Sequence, residues 1–138
     1  MVGHLLHRYG AMLDELVAMI EEQPDLARPL EHAPAYLRVE VAYAASHESV
    51  LHLEDVMLHR TRLVYEVPDR GLAAMPEIVD VIAPILGWDE ERRQREMESY
   101  TQRCEAERAA EETADDAEGE RVRLRAPDIV AMRPLPTR

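Results

Sequence analysis

The stretch YLRVEVAYAASHESVLHLEDVMLHRTRL, residues 36 to 63, decides the fold class of this chain. At its start, apolar and polar side chains alternate at Leu37, Val39 and Val41, which is typical of a strand. The residues that follow contain no Gly or Pro and favour a helix. We therefore interpret the stretch as helical, with Ser46 as the break between two helices.

Helical patterns also flank this stretch. Residues 4–24 carry apolar side chains at helical spacing, and Gly10 is expected to break or kink that helix. Pro76 suits the first turn of a further helix, which Gly87 should end. Asp89 is expected to cap the last helix, which has a narrow apolar seam. The seam consists of Met97, Tyr100 and Cys104. The predicted fold class is an all-α bundle of about five helices.

The composition changes near residue 104. Residues 4–104 carry the helical patterns and are long enough for one domain with a modest core. Residues 105–138 are first acidic and of low complexity and then contain Arg and Pro, which is the composition of a flexible tail. The prediction is one helical domain followed by this tail.

Charge and cysteine content exclude several kinds of partner and compartment. The formal net charge of -12 repels nucleic acid and anionic lipid, and the sequence contains no local basic patch that would offset it. We expect no nucleic-acid partner and no direct membrane contact by this segment. A single Cys104 excludes an internal disulfide, and there is no secretory signal and no membrane-spanning apolar run. These features indicate a cytoplasmic protein.

Two kinds of ligand site have definite sequence requirements. Nucleotide cradles need closely spaced glycines, and the five glycines of this chain are too far apart to form one. A metal site has some support, because five charged or metal-binding side chains would share one face of a continuous helix. They are Glu48, His52, Asp55, His59 and Arg62. Neither the His-Glu-x-x-His nor the Glu-x-x-His spacing occurs, so a metal-binding helical bundle is the weaker alternative.

Three blocks stand in order along the chain: RYG at 8–10, PAYLRVEVAYAASHESVLHLEDVMLHRTRL at 34–63, and PILGWD at 84–89. This combination resembles the C-terminal domain of FAD-dependent glycerol-3-phosphate dehydrogenases and covers about residues 4–103. The residues that match the pattern of the middle block are Glu40, Tyr43, His47, Glu48, Leu53, Asp55, Met57, His59, Arg60, Thr61 and Arg62. His59 stands where the family usually has the first Arg of a pair, and Met57 replaces a Leu.

The resemblance implies a longer parent enzyme, of which this segment would be the C-terminal accessory domain. Such an enzyme oxidises sn-glycerol 3-phosphate to dihydroxyacetone phosphate and passes electrons to FAD and then to a quinone. The FAD-binding domain would lie upstream in the same chain. The segment itself is expected to hold no cofactor, no metal and no catalytic residue, and to be inactive alone. This interpretation is compatible with a cytoplasmic parent that attaches to the inner face of the cytoplasmic membrane. Whether the parent forms a homo-oligomer is left open.

Six polar residues are candidates for docking the segment to the FAD-binding domain or for an ion-pair network within it, because charge-assisted hydrogen bonds are strong. These candidates are Glu40, Glu48, Asp55, Arg60, Thr61 and Arg62. A different alternative is a free-standing helical adaptor whose acidic surface and tail bind a partner protein. That adaptor would show an exposed apolar patch.

Overall fold

The computed structural model describes residues 2–126 and 130, and most of them lie in helices. The α-helices are α1 (Val2–Tyr9), α2 (Leu13–Glu22), α3 (Arg38–His47), α4 (Leu63–Glu66), α5 (Met75–Leu86), α6 (Glu90–Glu111) and α7 (Asp116–Arg123). Short 3₁₀ turns span Gly10–Met12 and Pro24–Ala27, and a π-helical turn spans Asp55–Arg60. A small antiparallel sheet pairs β1 (Pro29–Leu30) with β2 (Ala33–Leu37). The predicted all-α class is confirmed, with more and shorter helices than predicted.

The N-terminal helical pattern is interrupted at Gly10, as predicted. Gly10 has a φ of 51°, a left-handed conformation that glycine adopts readily because it lacks a Cβ atom. This turn separates α1 from α2 and lets both helices bury one side, with Leu5 and Leu16 inside. Pro24 then begins a 3₁₀ turn that buries Leu26 in the same apolar cluster.

The alternating residues around Leu37 are a strand in one part and a helix in the other. The prediction of helix from residue 36 onward is wrong for Tyr36 and Leu37, which end β2 (Ala33–Leu37), the strand that pairs with Pro29–Leu30. Pro34 gives a physical reason, because proline lacks the N–H that a helix uses and favours extended backbone in its predecessor. From residue 38 the chain is helical, and residues 39–45 are all buried. A helix that is buried on nearly all sides has no polar face, so its period cannot be read from the sequence.

The long helix predicted beyond α3 is broken by a loop and by the π-helical turn. α3 ends at His47, and Ser49 has a φ of 57°, which a continuing helix does not allow. Further on, the Thr61 N–H donates to the Val56 carbonyl oxygen five residues earlier, at 2.8 Å, which is the bonding pattern of a π-helix. The helical face assumed for residues 48–62 therefore does not form. The metal-binding alternative loses its geometric basis with it.

α5 begins and ends where the sequence predicts, and α6 begins where it predicts. Pro76 lies in the first turn of α5, and Gly87 ends this helix with a φ of 66°. The Asp89 carboxylate caps α6 by accepting a first-turn backbone N–H at 2.8 Å. Tyr100 and Cys104 of the predicted seam are buried in the main core, so the narrow apolar side of α6 does pack inward.

Two apolar clusters form the core, and α3 contributes to both. The smaller cluster joins α1, α2 and α3 through Leu5, Leu16 and Val39. The larger one packs α3 against the 50–63 segment, α5 and α6. Its members include Val41, Leu53, Met57, Ile78, Ile82 and Tyr100. Among the helices that the structure describes, none combines the length and apolar character needed to cross a membrane.

The helical structure continues past the predicted domain boundary at residue 104. α6 runs on to Glu111, and α7 packs back against α6, with Arg123 Nε 3.1 Å from Glu107 Oε2. Residues 127–129 and 131–138, which carry most of the Arg- and Pro-containing end of the predicted tail, lie outside the described residues. The flexibility of the tail stays a prediction.

Candidate functional site

A buried carboxylate, Glu40, stands in the first turn of α3 at the centre of a polar cluster. Its side chain is 0% exposed, and its Oε2 accepts a hydrogen bond from the Leu37 N–H at 2.7 Å. This bond satisfies an N–H group at the helix start, and the helix dipole also favours a negative charge there. Arg8 Nε lies 3.5 Å from Glu40 Oε1, so the same carboxylate holds the end of α1.

Tyr36 on β2 extends this cluster toward α4. The guanidinium carbon of Arg8 lies 4.3 Å from the centre of the Tyr36 ring, which is a cation–π contact. The Tyr36 hydroxyl donates to Glu66 Oε2 at 2.6 Å and accepts from the Arg62 N–H at 3.0 Å. Burial and the Glu66 carboxylate raise the pKa of Tyr36, so its hydroxyl keeps its proton at neutral pH.

A series of ring contacts continues the cluster along α1 and α3. Tyr9 and Tyr43 meet edge to face with centroids 5.9 Å apart, and Tyr43 stacks on His47 at 4.6 Å. The Tyr43 hydroxyl donates to Glu15 Oε2 at 3.0 Å. Burial raises the pKa of Tyr9 and Tyr43, and the negative charge of Glu48 adds to this effect in both.

The contacts bring together residues from the first and second sequence blocks that the resemblance uses. We call this group the Glu40 cluster and define it by its members. They are Arg8, Tyr9, Tyr36, Glu40, Tyr43 and His47. Because three separate elements meet here, the cluster fixes α1 and β2 on α3.

Two of the six predicted docking residues bond within their own segment. Asp55 Oδ2 accepts the backbone N–H groups of Leu51 and His52, both at 3.0 Å. Thr61 is buried, and its Oγ1 donates to the Val56 carbonyl oxygen at 2.7 Å. These bonds stabilise the start and the end of the π-helical turn. Asp55 and Thr61 therefore have structural roles that need no partner domain.

Arg60 and Arg62 differ from the other predicted residues because both side chains are exposed. Within the part of the chain that the structure describes, neither guanidinium has a hydrogen bond or an ion pair. Glu40 is buried, and Glu48 is half-buried. The six residues thus do not form one network, since Glu40, Asp55 and Thr61 bond within the fold, Glu48 is half-buried, and Arg60 and Arg62 are exposed.

A second buried polar group, centred on Glu96 of α6, was missed by the sequence analysis. Glu96 Oε1 lies 2.6 Å from Arg92 Nη2 and 3.0 Å from His52 Nδ1, and Glu96 Oε2 accepts the Leu53 N–H at 2.9 Å. We call Glu96, Arg92 and His52 the Glu96 cluster. The four-residue spacing of Arg92 and Glu96 was its one local signal, and that spacing is common on solvated helices. The cluster fixes the loop before the π-helical turn on α6.

A groove of about 800 Å³ lies between α2, α3 and α5. Its wall includes the apolar side chains of Met19 and Val81. The cation at its rim, Arg38, pairs with Glu77 at 2.7 Å and also with Asp25. Because both carboxylates neutralise this cation, the groove offers no free positive charge to a phosphate group.

The described residues do not fit a metal ion or a dinucleotide. In residues 2–126 and 130, no three side chains of His, Cys, Asp or Glu come together in a way that could hold a metal ion. The pyrophosphate of FAD binds at a glycine-rich helix N-terminus. By contrast, α6 begins with Asp89, Glu90 and Glu91, whose negative charges repel an anion.

Comparison with known proteins identifies the family. Residues 1–93 match the family model described as the C-terminal domain of alpha-glycerophosphate oxidase. The chain belongs to this family. The resemblance seen in the sequence is therefore confirmed.

The curated relatives of this chain are named glycerol-3-phosphate dehydrogenases. The protein of that name from Mycobacterium leprae (strain TN) is 44% identical over 127 residues, which are 92% of this chain and 22% of the relative. Glycerol-3-phosphate dehydrogenase 2 of Mycobacterium tuberculosis (strain ATCC 25618 / H37Rv) is 41% identical over 137 residues, 98% of this chain and 23% of the relative. The mitochondrial glycerol-3-phosphate dehydrogenase SDP6 of Arabidopsis thaliana is 34% identical over 95 residues, 69% of this chain and 15% of the relative.

The chain spans less than a quarter of the length of these relatives. No solved structure matches it significantly.

Proposed function

We propose that this chain is the C-terminal accessory domain of an FAD-dependent glycerol-3-phosphate dehydrogenase and that it braces the FAD-binding domain. The observation that carries the proposal is the family match over residues 1–93 together with 44% identity to a relative of which the chain spans only 22%. The remaining length of such a relative has room for a flavin domain. This segment supplies no catalytic group of its own.

The parent enzyme oxidises sn-glycerol 3-phosphate to dihydroxyacetone phosphate, with electrons passing to FAD and then to a quinone. FAD supplies the redox chemistry, and the protein positions cofactor and substrate. On this proposal the upstream domain holds FAD, because this chain lacks the closely spaced glycines of a dinucleotide site. We place the parent in the cytoplasm at the inner face of the cytoplasmic membrane. The acidic segment makes no direct contact with anionic lipid.

The bracing role rests on two rigid clusters in a small domain. The Glu40 cluster ties α1 and β2 to α3, and the Glu96 cluster ties the loop around His52 to α6. Buried polar groups with several satisfied bonds hold a backbone in one geometry. A domain fixed in this way presents a constant surface to the flavin domain, so that the flavin pocket keeps its shape.

The test compares the whole enzyme with a form that lacks this segment. Bound FAD and glycerol-3-phosphate-dependent dye reduction are measured for both, and then again after the separate segment is added to the truncated form. We expect truncation to lower both quantities and add-back to restore them. The matched control adds back a segment that carries Glu96→Ala, which should restore less. A truncated enzyme that keeps its FAD and its activity would exclude the brace and favour the adaptor alternative.

A further inference from the structure

Arginines in the family-matched part of the chain show a consistent pattern of pairing. Residues 1–93 contain eight arginines, and six of them lie within 3.5 Å of a carboxylate oxygen. The paired ones are Arg8, Arg28, Arg38, Arg70, Arg92 and Arg93. Arg60 and Arg62 alone in this set have no carboxylate partner among the described residues. In a chain with 28 acidic and 16 basic residues, two unpaired arginines only two positions apart are a local concentration of positive charge.

The acidic residues nearest in sequence are all engaged elsewhere. Glu54 pairs with Arg103 at 2.9 Å, and Glu66 accepts the Tyr36 hydroxyl at 2.6 Å. Asp55 accepts two backbone N–H groups at the start of the π-helical turn. None of these carboxylates forms an ion pair with Arg60 or Arg62. An anion that neutralises them has to come from outside the described part of this chain.

The backbone that carries the two arginines is held in place on both sides. Thr61 lies buried between them and bonds to the Val56 carbonyl oxygen through both its N–H, at 2.8 Å, and its Oγ1, at 2.7 Å. The Arg62 N–H donates to the buried Tyr36 hydroxyl at 3.0 Å. Three hydrogen bonds thus fix the positions from which Arg60 and Arg62 extend. A surface that is fixed before binding loses less entropy when a partner arrives.

We propose that Arg60 and Arg62 form a docking edge that binds a carboxylate-bearing surface of the flavin domain in the same enzyme. This inference rests on the proposed function and names the face through which the segment docks. Guanidinium groups form bidentate bonds with carboxylates, so two of them on a fixed backbone match two acidic side chains in a definite orientation. The charge of this edge is opposite to that of the domain as a whole. When the segment docks through Arg60 and Arg62, its remaining acidic surface faces away from the acidic site on the partner, which avoids repulsion between like charges.

The first experiment measures protection of single arginines in the whole enzyme. Phenylglyoxal modifies exposed guanidinium groups, and mass spectrometry gives the rate at each position. Arg28 and Arg121 are internal controls, because their side chains are 67% and 68% exposed and each pairs only within its own turn. We expect Arg60 and Arg62 to react about tenfold more slowly than the controls, which corresponds to docking stabilised by about 1.4 kcal/mol. The difference should shrink near 1 M salt, where screening acts over about 3 Å.

If Arg60 and Arg62 react as fast as the controls at low salt, the proposed docking edge is wrong. If truncation of the segment still removes FAD in that case, the brace stands and another face docks. If truncation also has no effect, the proposed function itself has failed. The two failures are therefore distinguishable.

The second experiment reverses the charges in the whole enzyme. The variant Arg60→Glu/Arg62→Glu is compared with Arg28→Glu/Arg121→Glu, which changes the net charge by the same amount. We expect FAD release to be about tenfold faster in the first variant and within about twofold of the wild type in the second. Equal release rates in the two variants would contradict the proposal. It would also fall if the first variant kept its FAD while light scattering showed loss of an oligomer, because the edge would then join two copies of the enzyme.

Discussion

Glu40 and Glu96, the two buried carboxylates among the described residues, each hold neighbouring elements together, but in different surroundings. The side chain of Glu40 is 0% exposed, but that of its cation, Arg8, is 27% exposed and reaches water on one side. Glu96 and Arg92 have side chains that are 3% and 9% exposed, and His52 is also 9% exposed. Water can solvate Arg8 when its partner is removed, but it cannot easily reach the partners of Glu96. We infer that the Glu96 cluster tolerates change less well than the Glu40 cluster.

Removal of the Glu96 carboxylate should have the largest effect. Glu96→Ala removes the carboxylate that Arg92 and His52 contact and the acceptor of the Leu53 N–H in the interior. We expect the free energy of unfolding to fall by about 3–5 kcal/mol. Urea denaturation of the 138-residue chain, followed by circular dichroism, measures it. Glu98→Ala, an exposed change half a turn away on α6, is the control and should stay within about 0.5 kcal/mol of the wild type.

Removal of the Glu40 carboxylate should have an intermediate effect. Glu40→Ala removes the acceptor of the Leu37 N–H and the ion-pair partner of Arg8, but Arg8 can turn to solvent. We expect a loss of about 2 kcal/mol in the free energy of unfolding, close to the loss of a helix cap plus a charged hydrogen bond. The exposed Glu21→Ala serves as the control. A greater loss for Glu40→Ala than for Glu96→Ala would reverse the comparison.

The Tyr36 hydroxyl tests the link between the Glu40 cluster and the docking edge. Tyr36→Phe keeps the ring under Arg8 and removes the bonds to Glu66 and to the Arg62 N–H. We expect about 1–2 kcal/mol less stability in urea denaturation, because two part-buried hydrogen bonds are lost, each contributing about 0.5–1 kcal/mol. Hydrogen exchange at the Arg62 amide should also become faster, because it loses its acceptor. Unchanged exchange there would show that this bond does not fix the edge.

Alkaline pH should lower the free energy of unfolding through two buried groups of α6, Tyr100 and Cys104. No such effect is expected at neutral pH. Burial raises the pKa of Cys104 and of Tyr100, whose hydroxyl donates to the Arg70 carbonyl oxygen at 2.6 Å. The unfolded groups lose their protons near pH 9.0 and 10.0, while the folded ones still hold them. The unfolded state therefore binds fewer protons above pH 9.0, and stability falls as the pH rises.

Unfolding free energies measured from pH 8 to 11 check this dependence, in steps of about half a unit. Tyr100→Phe cannot ionise and should show a shallower decline above pH 10.0 than the wild type. Identical slopes for both proteins would mean that Tyr100 contributes nothing to the alkaline transition.

The comparison of the two clusters also shows what a sequence can predict here. Glu40 was predicted as a site residue because it lies in a stretch with a recognisable family pattern. Glu96 was missed, because its partner His52 lies 44 residues away and only folding brings them together. Helix starts and ends that depend on a single residue were predicted correctly. Gly10, Gly87 and Asp89 end or begin helices as predicted.

The stretch between Ala33 and Arg62 was predicted less well for a physical reason. Burial on nearly all sides removes the polar face of α3, so a strand and a helix look alike there. A break was predicted at Ser46, and α3 ends at His47, but the left-handed Ser49 and the π-helical turn interrupt the second helix that was predicted after it. These breaks decide which side chains point outward. They are the reason that Arg60 and Arg62 separate from the other predicted docking residues.

The most direct test of the bracing role weakens the segment from inside and follows the flavin. In the whole enzyme carrying Glu96→Ala, flavin fluorescence reports FAD release during heating, and Glu98→Ala is the control. We predict that the midpoint of FAD release falls in Glu96→Ala and stays at the wild-type value in Glu98→Ala. If hydrogen exchange shows that the segment of Glu96→Ala has unfolded while FAD stays bound up to the wild-type midpoint, the segment does not brace the flavin domain.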